Sequence, residues 1–274
     1  MINKQKYEGN QKRIILFSII CGVVFMFFFG INKNNAANAV EPLPDDVLVI
    51  NAEDVSEELE HDETFFTEGF FFDGEELYES SGLSNESFVY RYSDGYRKDF
   101  EDVFLEGSVV LNDKLYLLTY KDNIAYVLDK NSFDIEKQYS YDREGWGLTT
   151  DGKYLIASDG TNKIYYMDEN YKNQKVLEVY EGENPVTNIN ELEYINGYIF
   201  ANIWQTNEIV IINPKDGKVV QRVYIDLQTA NDKADVMNGI AFDGEYVYLT
   251  GKYYGEIWKI GVEKLVDAGT GAKK

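Results

Sequence analysis

Short segments of alternating apolar and polar residues recur along the chain, and each is introduced by a tight turn. The turns are Asp73-Gly74, Asn112-Asp113, Asp151-Gly152, Asn196-Gly197 and Asp243-Gly244, at intervals of 39, 39, 45 and 47 residues. These residue pairs favour the left-handed backbone of two-residue hairpins. The pattern therefore predicts five copies of one unit rich in strands.

Within a copy, strands and turns follow one another in a constant order. Residues 114–141 read as strand, turn, strand, turn, strand, and residues 198–225 repeat that order. Repeats of about 40 to 50 residues with this content are typical of propeller blades, because one sheet cannot bury both of its faces alone. The sequence therefore predicts an all-β, five-bladed β-propeller over residues 63–262.

The first 39 residues differ in composition from the rest. Four basic residues within positions 4–13 precede an apolar run at 14–31, and Ala37-Asn38-Ala39 follows as a small-residue cleavage pattern. The run is long enough for a signal peptide or for one membrane anchor. The positive-inside rule places the remainder outside the cytoplasm in both cases. We expect a protein that is secreted or anchored to the membrane by residues 14–31.

Two further segments flank the predicted propeller. Residues 40–62 are acidic and contain two prolines near their start, so they are predicted to form a linker with room for one short strand or helix. Residues 263–274 follow the last predicted strand and are predicted to form a C-terminal tail.

Charge and composition narrow the possible functions. The chain carries a net charge of −22, and residues 1–39 contribute +4, so the remainder carries −26. Such a surface repels phosphate backbones, and no nucleic-acid partner is expected. The single cysteine, Cys21, lies in the apolar run, and the single histidine is His61. A disulfide, a thiolate metal site or a histidine-based triad is therefore not expected in the domain. We expect a monomer.

Residues just before each turn are predicted to converge. They are Glu68-Gly69, Glu106-Gly107, Trp146-Gly147, Glu191-Leu192 and Asn238-Gly239. In a propeller the innermost strands surround a central channel, so these side chains should meet at one mouth of it. Glycines and polar residues inside strands mark a close backbone approach or a site.

Ten short strings occur in register with the repeat. They are FTEG, LYESSG, LEG, LTYK, EGWGLTTDG, SDGT, NINELEYING, ANIW, NGIAFDG and TGK. Together they resemble the glutaminyl-peptide cyclotransferases, or glutaminyl cyclases, of the plant and bacterial type, over about residues 64–260. The resemblance implies an enzyme without metal or cofactor that converts the N-terminal glutamine of peptides and proteins to pyroglutamate. The α-amine attacks the γ-amide carbon, and ammonia leaves.

The resemblance also implies roles for two polar residues. Glu106, in LEG, matches the family's central carboxylate, a general acid and base. Asn190, in NINELE, matches an amide that hydrogen-bonds the substrate and helps to stabilise oxyanion charge. A partly buried carboxylate beside aromatic rings would have a raised pKa suited to proton transfer.

Four more residues match the family's substrate pocket. Phe66, Trp146 and Trp204 correspond to its aromatic walls, and Lys252, in TGK, to a lysine near its mouth. Taken alone, the tryptophans are also compatible with core aromatics and Lys252 with a surface charge. The register of the ten strings favours the pocket.

Three positions depart from the family pattern. Glu68 stands where FTQG would have glutamine, Tyr120 stands where LTWK would have tryptophan, and TGKYYG replaces a Trp-Pro ending. Both Glu68 and Tyr120 are expected to bind the substrate. A second carboxylate facing Glu106 would raise the pKa of one of the pair, or would bind a cation.

Two other functions stay open on the sequence. A non-catalytic propeller of the cell envelope would bind peptides or a partner through the same mouth, since fold alone does not dictate function. A calcium-dependent, lactonase-like propeller would use Glu68, Glu106, Asn190 and Asn238 as oxygen ligands. Inhibition by EDTA would favour the calcium enzyme over the metal-free one.

Overall fold

The structure, a computed structural model that describes residues 47–266, consists mainly of strands. In chain order these are β1 (Leu48–Ile50), β2 (Val55–Glu60), β3 (Thr67–Asp73), β4 (Glu76–Ser81), β5 (Ser87–Arg91), β6 (Tyr96–Phe100), β7 (Leu105–Leu111), β8 (Lys114–Thr119), β9 (Ile124–Asp129), β10 (Ile135–Ser140), β11 (Leu148–Thr150), β12 (Leu155–Ser158), β13 (Lys163–Met167), β14 (Asn173–Glu178), β15 (Tyr180–Glu181), β16 (Asn184–Pro185), β17 (Ile189–Ile195), β18 (Tyr198–Ile203), β19 (Glu208–Ile212), β20 (Val219–Ile225), β21 (Met237–Phe242), β22 (Tyr246–Gly251) and β23 (Glu256–Gly261). A 3-10 turn at Ala52–Asp54 and a short helix, α1 (Val262–Leu265), complete the described elements.

Five sheets form the blades of a propeller. Blade 1 is β3 to β6, blade 2 is β7 to β10, blade 3 is β11 to β14, blade 4 is β17 to β20, and blade 5 is β21 to β23. The inner strands β3, β7, β11, β17 and β21 contact one another in that order, and β21 contacts β3. The predicted five-bladed β-propeller is therefore confirmed. The predicted signal or anchor segment lies outside the described residues.

The predicted turns join the first two strands of each blade. Asn112 and Asp113 have φ angles of 50° and 61°, and Asn196 and Gly197 have φ angles of 50° and 86°. Two successive residues with positive φ define the type I′ turn, whose twist matches that of the flanking strands. The spacing of these turns therefore reports the spacing of the blades.

The hydrophobic core lies between adjacent blades. In β19, Ile209 and Ile211 pack into the cluster shared with blade 5, while Val210 and Ile212 pack into the cluster shared with blade 3. Alternate side chains point to opposite faces of a strand. Because a blade covers each face, this strand is continuously apolar and does not alternate.

The segment predicted as a linker instead contributes to two blades. Strand β2 pairs antiparallel with β23 and supplies the fourth strand of blade 5, while β1 pairs in parallel with β20 at the outer edge of blade 4. Blade 5 is thus built from both ends of the domain. The linker prediction was wrong for these strands because most side chains of an outer strand face solvent. The sequence of β2, VSEELE, is accordingly polar.

The C-terminal prediction also needs correction. Leu265 and Val266, within the predicted tail, are buried in the cluster between blades 4 and 5. Residues 267–274 lie outside the described part. Between residues 47 and 266, no helix is long and apolar enough to cross a membrane.

His61 closes the ring directly after β2. Its Nδ1 lies 2.8 Å from the Tyr254 carbonyl oxygen in blade 5, and its Nε2 lies 3.1 Å from Glu79 Oε2 in blade 1. Thr67 Oγ1 and the Tyr92 hydroxyl each donate to Glu79 over 2.7 Å. Burial opposes protonation of His61, but the Glu79 carboxylate outweighs it, so the pKa of the imidazole is raised. The histidine thus ties blade 5 to blade 1.

Candidate active site

An extra residue interrupts the pairing near the start of four inner strands. The shifts in register fall between Thr67 and Gly69, Leu105 and Ser108, Ile189 and Leu192, and Met237 and Ile240. Such β-bulges re-aim side chains and are frequent beside active sites. The side chains at these bulges include Glu68, Glu106, Asn190 and Asn238, and Trp146 holds the corresponding place just before β11.

The pairing of β17 with β18 corrects one residue of the predicted set. Asn190, and not Glu191, occupies the place that corresponds to Glu106 in blade 2. Glu191 stands where Gly107 stands in blade 2, and its Oε2 accepts a hydrogen bond from the Ile240 N–H over 3.0 Å. The alignment of turns was off by one residue because the turn pairs do not begin at equivalent places: Asn112 and Asn196 have positive φ, whereas Asp73 and Asp243 precede the residue with positive φ.

A cavity of about 260 Å³ opens at this mouth of the channel. It is lined by Phe66, Glu68, Phe104, Glu106, Tyr120, Trp146, Asn190, Trp204, Asp235 and Lys252. The structure thus brings together all eight residues predicted for catalysis and substrate binding. Ligand pockets commonly measure about 300–1,000 Å³, so this one has the size for a single side chain or a small molecule.

Two lining residues were not predicted. Phe104 directly precedes Leu105-Glu106, and its ring lies 5.7 Å from that of Tyr120. Asp235 belongs to an irregular segment before β21 and is fixed by its N–H, which donates to the Lys252 carbonyl over 2.9 Å. The position of Phe104 beside LEG could have indicated its role. No pattern in the sequence marks Asp235.

Half-buried aromatic rings form the walls of the pocket. The rings of Trp146 and Trp204 meet edge to face with centroids 5.6 Å apart, and Phe66 meets Phe104 at 6.1 Å. Gly160 is required behind Trp146, because a Cβ there would lie 2.7 Å from the indole ring and because its φ is +76°. The glycine of the SDGT string therefore makes room for one wall.

The floor holds two carboxyl groups in different surroundings. Glu68 Oε1 lies 2.6 Å from Lys252 Nζ, and Glu68 Oε2 accepts from Asn238 Nδ2 over 3.2 Å. Glu106 lines the same floor and is, like Glu68, buried. Glu68 is therefore surrounded by groups that favour its ionised form.

The pKa values of both groups are raised by burial, but their neighbouring charges act in opposite directions. Burial raises the pKa of Glu68, and the neighbouring Lys252 ammonium opposes the shift. Burial, reinforced by the charge of Glu68, raises the pKa of Glu106 well above its usual range. Like charges resist sharing a dry site, so the pair retains one proton that resides on Glu106. A carboxyl group with a raised pKa can exchange protons near neutral pH.

Asn190 presents an unpaired polar atom. Its side chain is 3% exposed, and its Oδ1 has no hydrogen-bond partner among residues 47–266. A buried polar atom without a partner costs about 1–3 kcal/mol. A ligand that donates a hydrogen bond here would remove that cost.

Metal binding is a poor fit to this mouth. Over the described range, no three or more His, Cys, Asp or Glu side chains are grouped to hold an ion. Of the four ligands in the calcium hypothesis, Glu68 is paired with the ammonium of Lys252, which would repel a cation. The geometry thus offers the calcium hypothesis no support.

Glu193 is a buried acid outside the pocket, and it gives a testable dependence of stability on pH. Burial raises the pKa of Glu193 to about 8, against 4.5 for the ordinary group. The folded protein then holds a proton that the unfolded chain releases. The free energy of unfolding should fall by about 1.4 kcal/mol per pH unit for this group as pH rises between these values.

Urea unfolding of the unmutated protein and of Glu193→Gln, at several pH values between about 5 and 8, would check this. In Glu193→Gln the free energy of unfolding should fall less steeply with pH. In the control Glu245→Gln, which changes an exposed residue, it should fall as steeply as in the unmutated protein. Equal slopes for all three would contradict the assignment.

The fold and the pocket together define a five-bladed propeller with a buried carboxyl group on the floor of an aromatic pocket. The sequence model of the glutamine cyclotransferase family matches residues 26–262, and the chain belongs to this family. It is 31% identical over 265 residues to the glutaminyl-peptide cyclotransferase of Arabidopsis thaliana. The aligned region covers 90% of this chain and 82% of that protein. The crystal structure of Myxococcus xanthus glutaminyl cyclase superposes with a TM-score of 0.69 at 27% identity, over 75% of this chain and 94% of that one.

Proposed function

We propose that the protein is a glutaminyl-peptide cyclotransferase whose active site is the pocket around Glu106. The observation that carries this proposal is a buried, protonatable carboxyl group on the floor of an aromatic pocket with the volume of one side chain. Family membership supports the same reaction. The substrate is a peptide or protein with an N-terminal glutamine.

The reaction requires one group to accept and return a proton. The nitrogen of the α-amine attacks the γ-amide carbon, and a new C–N bond forms. Glu106, once it has released its own proton to solvent, takes a proton from the attacking nitrogen and then gives it to the amide nitrogen. The C–N bond of the amide breaks, and ammonia and pyroglutamate are the products. One residue thus serves as general base and then as general acid.

Asn190 and the aromatic walls would position the glutamine side chain. The free Oδ1 of Asn190 is suited to accept a hydrogen bond from an N–H of the substrate. The rings of Trp146, Trp204 and Phe66 would exclude water from the reacting amide, which strengthens electrostatic interactions within the pocket. Lys252 keeps Glu68 ionised beneath them.

We also propose that the enzyme works outside the cytoplasm as a monomer, secreted or anchored by residues 14–31. The charge pattern of residues 1–39 supports this location. Those residues lie outside the described part of the chain.

Turnover of a glutaminyl peptide is the decisive test. The purified protein should release ammonia from a peptide that begins with glutamine, with the matching loss of mass. The same peptide with an acetylated N-terminus should give none, because its nitrogen cannot attack. EDTA should leave the rate unchanged. Saturable binding of the peptide without ammonia release would favour the binding propeller instead.

A further inference from the structure

A groove of about 590 Å³ lies between blades 3 and 4, at the face opposite the catalytic pocket. It is formed near the turns that follow the inner strands β11 and β17, whereas the catalytic residues lie at the start of the inner strands. Strand β17 has seven residues, which corresponds to about 20 Å at 3.3 Å per residue. The groove is therefore separate from the active site.

An aromatic plug fills the equivalent groove elsewhere in the ring. The turn between the third and fourth strands carries Phe133 in blade 2 and Tyr171 in blade 3, with φ angles of 56° and 58°. Phe133 is fully buried and packs on Tyr78 of blade 1. The hydroxyl of Tyr171 reaches the carbonyl groups of blade 2, for example that of Tyr126 over 3.1 Å. Each side chain thus closes the groove toward the preceding blade.

Blade 4 has no side chain at this place. Its turn carries Gly217, with a φ of 74°. The Gly217 N–H bonds to the carbonyl of Asn213, as the Phe133 N–H bonds to that of Asp129, each over 2.9 Å. The backbone is therefore equivalent, but a Cβ at Gly217 would clash with the Glu178 carbonyl group, so the backbone of blade 3 occupies the place of the plug. The groove opens beside this contact, along Asn213, Pro214 and Lys215 of the same turn.

Tyrosine rings line the open groove. Tyr154 and Tyr166 come from blade 3, and Tyr194 and Tyr198 come from blade 4. Tyr166 is 5% exposed, and within residues 47–266 its buried hydroxyl has no hydrogen-bond partner. Among the lining residues there is no Leu, Ile, Val or Phe, and amide side chains such as Asn196 and Asn213 stand among the rings.

This composition selects the chemistry of a ligand. A sugar ring offers an apolar C–H face that covers an aromatic ring, and hydroxyl groups that bond to amides and to a tyrosine hydroxyl. The lining carries Asp151 against Lys175 and Lys215, and Lys175 Nζ already donates to the Pro214 carbonyl over 2.9 Å, so charge alone does not select the ligand. An aliphatic side chain of a peptide would find no Leu, Ile, Val or Phe in the lining to pack on.

We propose that the groove between blades 3 and 4 is a second binding site, for an oligosaccharide whose rings cover Tyr154 and Tyr194 and whose hydroxyl groups reach that of Tyr166. Its position leaves the catalytic mouth free. The enzyme would then be retained at a glycan while it processes peptides.

Calorimetric titration of the full chain with three defined hexasaccharides would test this. The probes are the hexamers of β-1,4-linked N-acetylglucosamine, β-1,4-linked glucose and α-1,6-linked mannose, and a tyrosine- and proline-rich peptide is the fourth arm. At least one hexasaccharide should bind. Tyr154→Ala should weaken that binding at least about tenfold, which corresponds to about 1.4 kcal/mol.

The chain offers a matched control. Tyr246 occupies in blade 5 the place of Tyr154, two residues after the glycine of the turn, and is likewise half-buried. Tyr246→Ala should bind as the unmutated protein does. Tyr166→Phe should bind more weakly with an unchanged or higher Tm, because it removes an unpaired buried hydroxyl.

Three results would overturn the proposal. The first is that no hexasaccharide binds. The second is that Tyr154→Ala and Tyr246→Ala lose the same amount of affinity for the hexasaccharide, and the third is that only the peptide binds. Each is independent of cyclotransferase activity, which is measured separately on a glutaminyl peptide.

Discussion

Replacement of Glu106 by glutamine is expected to lower kcat for a glutaminyl peptide by about 10²–10⁴-fold, with a much smaller change in KM. The amide keeps the shape of the side chain and its contact with Glu68, but it can neither take the proton from the amine nor return it to the leaving nitrogen. Steady-state ammonia release, measured with the unmutated protein and with the variant, gives both constants.

Glu101→Gln is the matched control, since this carboxylate is exposed five residues earlier in the chain. It should retain full activity. A Glu106→Gln protein that is folded and turns over at the unmutated rate would remove Glu106 from the chemistry.

Glu68→Gln is expected to move the acidic limb of the kcat/KM profile to lower pH. Burial and the charge of Glu68 both raise the pKa of Glu106. The variant keeps the burial and removes the charge, so the pKa of Glu106 falls. The ionised form, which accepts the proton, is then populated at lower pH. Rates at low substrate concentration across a pH series would locate the limb.

Lys252→Met is expected to shift the pKa of Glu106 in the opposite direction. The ammonium of Lys252 lowers the pKa of Glu106, so its removal should move the acidic limb to higher pH. The two variants thus shift the pKa of the same group, Glu106, in opposite directions. If both profiles coincide with that of the unmutated protein, Glu106 is not the group that the limb reports.

Glu68 stands where the string FTQG would have glutamine, so the pair of carboxyl groups follows from this substitution. The sequence indicated the pair, but it did not show how the charge is distributed. Lys252 was assigned only to the mouth of the pocket. The structure places its ammonium 2.6 Å from Glu68, which decides which of the two acids holds the proton.

The number of blades could be predicted because a two-residue hairpin needs residues that tolerate positive φ, and those residues recur visibly. Strand β2 could not be recognised, since an outer strand with a solvated face resembles a linker in composition. Asn190 was identified from a family string, whereas counting from the turns selected Glu191. The first residue of the turn pair is left-handed at Asn112 and Asn196 but not at Asp73 and Asp243, so the count from the turn differs by one residue between blades, and only the backbone angles reveal it.

Ring closure by β2 has a consequence for the order of folding. The strand that leaves the ribosome early pairs with β23, about 200 residues later in the chain, and contacts of such sequence separation form slowly. Blades 1 to 4 can assemble during synthesis, while the last blade must wait for the C-terminal strands. Glu68 and Lys252 lie on the two sides of this seam, so the catalytic mouth matures last. An unfinished chain would carry Glu106 in place and still be inactive.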